Sequence, residues 1–210
     1  MNTKITYLGH ACFMIESSDG TIIVIDPYFD NSVPHLTLKK DLKANYVFCS
    51  HEHRDHNARE YIKLSSNHKK IEVEEYLIPH DNEGGRLRGM NTIRVFHIDN
   101  LRIAHLGDIG VIPNEKIINT LKDVDVMLVP INGFYTLGAE DIFKLYKLTT
   151  PKIIVPMHYF NKLSQSGYPD DNQIDKFISL FKNIKYVDSS FVVQEHLNKD
   201  KTIIFSSYLQ

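Results

Sequence analysis

Apolar and polar residues alternate in short runs along much of the chain, and this pattern predicts β-strands. Ile, Val, Tyr and Phe are concentrated in the runs, and Gly, Asp and Asn separate them. Helical spacing of apolar residues is clearest in residues 171–181, where Ile174, Phe177, Ile178 and Phe181 share one face. The first part of the chain therefore predicts hairpins, and the second part predicts alternating strands and helices.

The order of these elements predicts an α/β or α+β fold with mixed β-sheets covered by helices. A chain of 210 residues without repeats or linker-like tracts is expected to form one domain, residues 1–210. The predicted strands are residues 4–8, 12–16, 21–26, 46–49, 72–78, 91–97, 101–106, 124–131, 152–157, 191–196 and 202–208. The predicted helices are residues 58–64, 114–121, 139–148 and 171–181.

The composition argues against several classes of partner. The chain has 24 Lys and Arg against 26 Asp and Glu, which gives a net charge of −2. It therefore lacks the excess of positive charge that is typical of proteins that bind nucleic acid or membrane surfaces. No apolar run reaches the roughly 18 residues of a membrane span, and the first residues do not resemble a secretory signal. Cys12 and Cys49 lie in apolar segments, where free thiols are common. We therefore expect a cytoplasmic protein without a membrane partner.

One run of six residues carries most of the chemical information. Residues 51–56 read His-Glu-His-Arg-Asp-His and directly follow a predicted strand. The side chains of His51, His53, Asp55 and His56 are all potential metal ligands, with imidazole nitrogens and a carboxylate that suit zinc, iron or manganese. Because four ligands with this spacing rarely assemble by chance, the run predicts a site for two neighbouring metal ions.

Further ligands are expected where other strands end, since open sheets build sites at the carboxyl ends of their strands. His80, Asp108 and His158 each follow a predicted strand directly. His97 and His105 lie downstream of His80, and either of them is an alternative third histidine.

The order of these residues resembles the metallo-β-lactamase fold superfamily, whose members carry His-x-His-x-Asp-His, a lone His, an Asp and a final His. Residues 7–11, 25–28, 84–91, 105–108 and 155–159 are similar to a branch of ascorbate-6-phosphate lactonase-like hydrolases. The resemblance covers nearly the whole chain and implies a four-layer αβ/βα sandwich of two mixed β-sheets flanked by helices. It also implies that one ion is held by His51, His53 and His80, the other by Asp55, His56 and His158, and that Asp108 bridges them.

Such a site implies a metal-dependent hydrolase in which a metal-bridging hydroxide attacks an ester, lactone or phosphodiester bond. Asp55, Asp108 and His158 are the candidate catalytic residues. Two divalent ions are expected, zinc first, with manganese, iron or nickel as alternatives. Their charge of about +4 exceeds the roughly −3 of two aspartates and a hydroxide, which favours a small anionic substrate.

Residues outside the ligand set are candidates for supporting roles. The resemblance implies that His10 and Asp26 orient ligand imidazoles, although a core histidine and a turn-forming aspartate are the plainer interpretation. Arg86 and Arg88 follow His80 and are candidate substrate-binding residues for a phosphate or carboxylate, with a solvated turn as the alternative. The loops at 132–136 and 161–171 are candidates for lining or covering the cleft.

Other functions are compatible with the same ligands. An RNA or DNA phosphodiesterase of the same fold is one alternative, which the near-neutral charge disfavours. A metal-binding module with little catalysis is another. The diiron redox branch that appends a flavin domain replaces the second histidine of the run by Glu, whereas this chain has His53 and ends at Gln210. The sequence leaves open whether the protein is a homo-oligomer.

Overall fold

The computed structural model of the protein describes residues 2–65, 70–194 and 201–209. Its first strands are β1 (Asn2–Gly9), β2 (Cys12–Glu16), β3 (Ile22–Ile25), β4 (Lys43–Ala44), β5 (Tyr46–Phe48), β6 (Lys63–Leu64) and β7 (Glu72–Pro79). The later strands are β8 (Met90–Ile98), β9 (Leu101–His105), β10 (Val126–Pro130), β11 (Ile153–Met157), β12 (Ile184–Val187), β13 (Ser190–Gln194) and β14 (Lys201–Phe205). The helices are α1 (Glu115–Leu121), α2 (Ala139–Thr149) and α3 (Gln173–Leu180).

Two mixed sheets form the body of the protein, as the sequence predicts. The smaller one has the order β13-β1-β2-β3-β5, in which only β3 and β5 pair in parallel. The larger one has the order β12-β14-β11-β10-β9-β8-β7, with parallel pairing from β12 to β9 and antiparallel pairing from β9 to β7. The predicted mixed-sheet fold class is therefore confirmed.

The two sheets pack face to face over an apolar layer. Phe13, Ile25, Phe96 and Val155 are among its buried residues and come from both sheets. The other face of the larger sheet is covered by α1, α2 and α3, whose apolar stripes join a second buried cluster. The predicted amphipathic helix at 171–181 is part of that cover, and its Phe177 is fully buried. Burial of the apolar stripe, more than local propensity, stabilises helices this short.

The outer face of the smaller sheet is covered by irregular chain in the described residues. Leu8 and Val24 on the sheet pack against Val33, Leu36 and Leu38 of the following loop. The helix predicted at 58–64 is wrong, because this segment forms a single 3₁₀ turn, Arg59–Tyr61, and then the short strand β6 beside β4.

Most predicted strands are confirmed to within two residues at each end. The strand predicted at 202–208 ends earlier, at Phe205. The short strands β4, β6 and β12 were not predicted from the sequence. Residues 195–196 of the strand predicted at 191–196 lie outside the described residues. Among the residues that the structure describes, no helix has both the length and the apolar character needed to cross a bilayer.

Candidate metal centre

Among the strands that end at one edge of the sandwich, six are followed closely by a polar site residue. Strands β1, β3 and β5 run in one direction in the smaller sheet, as do β7, β9 and β11 in the larger sheet. The residues that follow these strands are His10, Asp26, the run from His51 to His56, His80, Asp108 and His158. The site therefore draws on both sheets.

The chain bends sharply at several of these positions. His10, Asp26 and His158 have left-handed backbones, with φ of 57°, 49° and 55°. Residues other than Gly, Asn and Asp adopt this region rarely, and such conformations concentrate at functional sites. The amide of His158 donates to the carbonyl of His10 at 3.0 Å, which joins the ends of β11 and β1 across the two sheets.

Three histidines form one side of the cluster. His51 Nε2 lies 3.0 Å from His53 Nδ1, and the ring of His80 is 4.7 Å from that of His51, centroid to centroid. One potential ligand atom from each of these three residues lies within 4.8 Å of the other two. His51 and His80 are buried, whereas His53 is exposed toward the cavity.

The carboxylate of Asp108 lies in the middle of the cluster. Its Oδ2 is 3.1 Å from His158 Nε2, 3.2 Å from His56 Nε2 and 3.5 Å from His80 Nε2. Asp55 Oδ2 lies 3.7 Å from His56 Nε2. The seven residues predicted as ligands are thus brought together, and Asp108 lies between the two groups of histidines.

The donor set fits divalent metal ions. Three buried atoms of the cluster, His80 Nδ1, His158 Nδ1 and Asp108 Oδ1, have no hydrogen-bond partner among the described residues. Unpaired polar atoms of this kind are costly in a protein interior and often mark an ion site. Imidazole and carboxylate together suit zinc and other first-row metals. His80 and His158 face Asp108 with their other ring nitrogen, Nε2, so an ion in the cluster would contact Nε2 and would neutralise the buried carboxylates.

Asp26 forms hydrogen bonds with Ser50 and His56, just before and at the end of the run 51–56. It accepts hydrogen bonds from the amide and the hydroxyl of Ser50, both at 2.6 Å, and its Oδ2 lies 2.8 Å from His56 Nδ1. Ser50 Oγ in turn lies 2.9 Å from His51 Nδ1. A carboxylate at the distal nitrogen of an imidazole fixes its tautomer and leaves the other nitrogen for a ligand role.

Burial and neighbouring charges shift the pKa values of several of these groups. Burial alone would raise the pKa of Asp26, but His105 and the hydrogen bond with His56 lower it to about 2. Burial and the neighbouring His56 lower the pKa of His51 to about 3, and burial with the neighbouring His158 lowers that of His10 to about 4. Both of these imidazoles are therefore neutral near pH 7, which is the form that binds a metal.

The two alternative histidines lie away from the cluster. His97 Nε2 contacts Glu74 Oε1 at 2.8 Å on the outer part of the sheet. His105 is buried, with Nε2 2.9 Å from the carbonyl of Ala11 and Nδ1 accepting from the amide of Gly107 at 3.1 Å. Both ring nitrogens of His105 are thus engaged in local bonds. The geometry favours His80 as the third histidine.

A cavity of about 260 Å³ opens beside the cluster. Its lining consists of His53, Asp55, His80, Arg88, Asp108, Tyr135, His158 and Tyr168. The two predicted substrate-binding arginines differ in position: Arg88 lines the cavity, whereas Arg86 points outward and pairs with Glu83 at 3.3 Å.

Arg88 is held by a compact loop. The Asp81 carboxylate accepts hydrogen bonds from four backbone amides, those of Glu83, Gly85, Leu87 and Arg88, at 2.7–3.0 Å. The Arg88 guanidinium lies 5.6 Å from the ring centroid of Phe134 and 5.5 Å from that of Tyr135. Among the described residues it has no acidic partner within ion-pair distance, so its charge faces the cavity.

Three site residues escaped sequence reasoning or were placed differently by it. Tyr135 and Tyr168 belong to loops expected near the cleft, but no spacing singled them out. Tyr168 stacks on His158 with ring centroids 5.9 Å apart, and its hydroxyl donates to the carbonyl of Ser32 at 2.6 Å. His10 was expected only as support, yet it lies among the ligand atoms themselves.

Comparison with known proteins agrees with the fold and the site. The family model for the beta-lactamase superfamily domain matches residues 4–158. A UPF0173 metal-dependent hydrolase of Staphylothermus marinus is 32% identical, with 74% of this chain and 82% of the relative covered. A second one, from Archaeoglobus fulgidus, is 29% identical over 74% of this chain and 83% of its own length.

A solved structure extends the likeness to the whole chain. A Thermotoga maritima protein described as a Zn-dependent hydrolase of the metallo-beta-lactamase superfamily superposes with a TM-score of 0.75 and 26% identity, covering 99% of this chain and 100% of its own. The matched family model, the relatives and this structure together show that the chain belongs to the metallo-β-lactamase superfamily of hydrolases.

Proposed function

We propose that residues 1–210 form a single-domain hydrolase that uses two divalent metal ions to cleave an ester, lactone or phosphodiester bond in a small anionic molecule. The observation that carries this proposal is the meeting of seven potential ligands from both sheets at the floor of one cavity. The names of its relatives, metal-dependent and Zn-dependent hydrolases, support the activity class and make zinc the first ion to test.

We assign the ligands as the family resemblance implies. His51, His53 and His80 would hold one ion, Asp55, His56 and His158 would hold the other, and Asp108 would lie between them. Ions bound there would lower the pKa of a shared water toward neutrality and polarise the oxygen of the scissile bond. Asp26 and Ser50 keep His56 and His51 in the orientation that this requires.

Proton handling falls to groups that border the cavity. The carboxylate of Asp55 and the imidazole of His158 both line the cavity beside Asp108. A carboxylate oxygen of Asp55 that an ion leaves free would accept a proton from the attacking water and pass it to the leaving-group oxygen. His158 would act through the ion that it holds. We therefore retain Asp55, Asp108 and His158 as the catalytic residues of the proposal.

The cavity wall supports an anionic substrate with a compact body. Arg88 offers a planar guanidinium that binds a carboxylate or phosphate through paired hydrogen bonds. The rings of Tyr135 and Tyr168, 5.2 Å apart, border the same space and would pack against the rest of the molecule. A volume of about 260 Å³ suits a small metabolite better than a polynucleotide strand.

The test is a turnover assay with purified protein loaded with Zn²⁺ or Mn²⁺. We expect two ions per chain and hydrolysis of at least one anionic member of a panel of lactones, esters and phosphodiesters. His53→Ala should reduce turnover by a factor of about 100 or more, because it removes a proposed ligand that faces the cavity. His97→Ala is the matched control, since His97 contacts Glu74 away from the cluster.

Loss of function in both histidine variants would point to general destabilisation instead. Two bound ions with no turnover on the whole panel would favour the metal-binding module. Cleavage of single-stranded RNA or DNA in preference to every small molecule would favour the polynucleotide phosphodiesterase.

A further inference from the structure

His10 occupies an unusual position beside the metal cluster. It follows β1, is only 3% exposed, and has a left-handed backbone with φ of 57°. The main-chain hydrogen bond from His158 to its carbonyl fixes this turn against the end of β11. No sequence spacing predicts His10 as a ligand, since the nearest predicted ligand in the chain is His51.

The Nε2 atom of His10 faces the ligand atoms of its neighbours. It lies 3.3 Å from Asp55 Oδ2 and 3.3 Å from His56 Nε2, and its ring centroid is 4.0 Å from that of His158. One potential ligand atom from each of these four residues lies within 4.8 Å of all the others. Two nitrogens that share one zinc ion, each about 2.0–2.1 Å from it in tetrahedral geometry, are separated by about 3.3 Å.

A supporting residue would approach from the other side. Asp26 contacts His56 at Nδ1, the nitrogen that points away from the cluster, and this is the usual arrangement for a group that orients a ligand. His10 instead meets His56 at Nε2, the nitrogen that faces the cluster. Its 3.3 Å distance to Asp55 is also longer than most N–H···O hydrogen bonds.

We propose that His10 is an additional ligand of the ion held by Asp55, His56 and His158. This inference rests on the proposed metal site. That ion would then have four protein ligands before Asp108 is counted, whereas the ion of His51, His53 and His80 would have three. The two ions would therefore differ in affinity, and the open coordination position would belong to the ion next to His53.

Two variants separate a ligand from a hydrogen-bonding partner. His10→Asn tolerates the left-handed backbone but is too short to reach the cluster. His10→Gln keeps the reach and an N–H donor for Asp55 but is a poor metal ligand. The probe is Zn²⁺ alone, measured by competition with a chelator. We expect both variants to bind the ion of Asp55, His56 and His158 at least tenfold more weakly than the wild type does. Their affinity for the ion of His51, His53 and His80 should be unchanged.

Removal of a residue that only orients a ligand also weakens metal binding, so weaker binding by His10→Asn does not by itself show that His10 is a ligand. His10→Gln distinguishes the two roles, because it keeps the hydrogen bond to Asp55 and loses the imidazole. If His10→Gln keeps the wild-type affinity for both ions, His10 only bonds to Asp55 and the proposal is overturned. A measurement on the unaltered protein covers the case in which a variant fails to fold. In Co²⁺-loaded wild type, the paramagnetically shifted imidazole signals should come from six histidines, and five would overturn the proposal.

The outcome is separable from that of the proposed function. Wild-type protein that binds only the ion of His51, His53 and His80 overturns the role of His10 together with the dinuclear site. Six ligated histidines without turnover on any substrate count against the hydrolase proposal and leave the ligand assignment standing.

Discussion

Arg88 and Arg86 are two positions apart in the chain, yet only Arg88 faces the candidate metal centre. The difference comes from Asp81, whose carboxylate gathers four amides of the loop and turns the Arg88 side chain toward the cavity. Arg86 is exposed and pairs with Glu83. One buried carboxylate thereby decides which of two similar side chains is available to a substrate.

This pair allows a controlled test of substrate charge. Arg88→Ala should raise the KM for an anionic substrate by a factor of about 10 to 100, because a hydrogen bond to a charged group contributes roughly 1.5–3 kcal/mol. Arg86→Ala should leave the KM unchanged, since its guanidinium points to solvent. The measurement is steady-state kinetics with an anionic substrate and its neutral analogue. Equal effects of Arg88→Ala on both substrates would contradict a role in binding the charge.

The sequence located the candidate ligands at this scale because each of them follows a strand or belongs to one contiguous run. It did not distinguish Arg86 from Arg88, since the direction of each side chain depends on the loop that Asp81 organises. It did not place His10 among the candidate ligands either. The approach of His10 to Asp55 joins residues 45 positions apart, and no local pattern records such a contact.

The hairpin of β8 and β9 connects the two sheets at the edge opposite the candidate metal centre. Its turn residue Asp99 accepts a hydrogen bond from Thr3 Oγ1 of β1 at 2.8 Å. It accepts two more from the amide and the hydroxyl of Ser18, at 2.6 and 2.7 Å. Burial alone would raise the pKa of Asp99, but these three donors outweigh it and lower the pKa below its usual value.

Asp99→Asn should therefore destabilise the protein in a pH-dependent way. The folded-state pKa is lower than the unfolded one, so the contribution is complete above the unfolded pKa and is lost as the pH falls through the folded pKa. We expect a loss of about 1 kcal/mol at pH 7, allowing for partial exposure, and a smaller difference toward pH 3. Urea unfolding at both pH values measures it. An equal loss at both, or the same loss in the exposed-site control Glu60→Gln, would contradict this account.

The elements that the sequence predicted well are those whose apolar pattern matches their burial. Strands such as β10 and β11 are fully buried and read as continuous apolar runs. The segment at 58–64 failed because its spacing resembles a helix, but Tyr61 and Leu64 remain exposed, at 36% and 69%. Pairing of Lys63 with Lys43 in β4 overrides that spacing. Such pairing depends on a partner some twenty residues away.

At the scale of the whole molecule, the candidate ligands connect two sheets. His51 to His56 extend from the smaller sheet, whereas His80, Asp108 and His158 extend from the larger one. Any ion held between them therefore joins both halves of the sandwich. Because the ligands meet only in the folded protein, the free energy of binding adds to the free energy of unfolding.

Removal of metal should accordingly lower the thermal stability. At a free ion concentration of 100 times Kd, each site contributes about 2.7 kcal/mol, which corresponds to a shift in Tm of about 5–10 °C for a chain of this size. The measurement is calorimetry of Zn²⁺-loaded protein with and without a chelator. Asp108→Ala is the control and should show a much smaller shift. An unchanged Tm in the wild type would mean that no ion bridges the sheets.

The proposed ligands lie at the ends of strands, whereas Arg88, Tyr135 and Tyr168 belong to three separate loops that form the cavity wall. The proposed ligands and the residues of the cavity wall thus lie in different stretches of the sequence. Laboratory evolution of a new specificity has a natural target in libraries confined to these loops, where changes of side chain leave the strand framework intact.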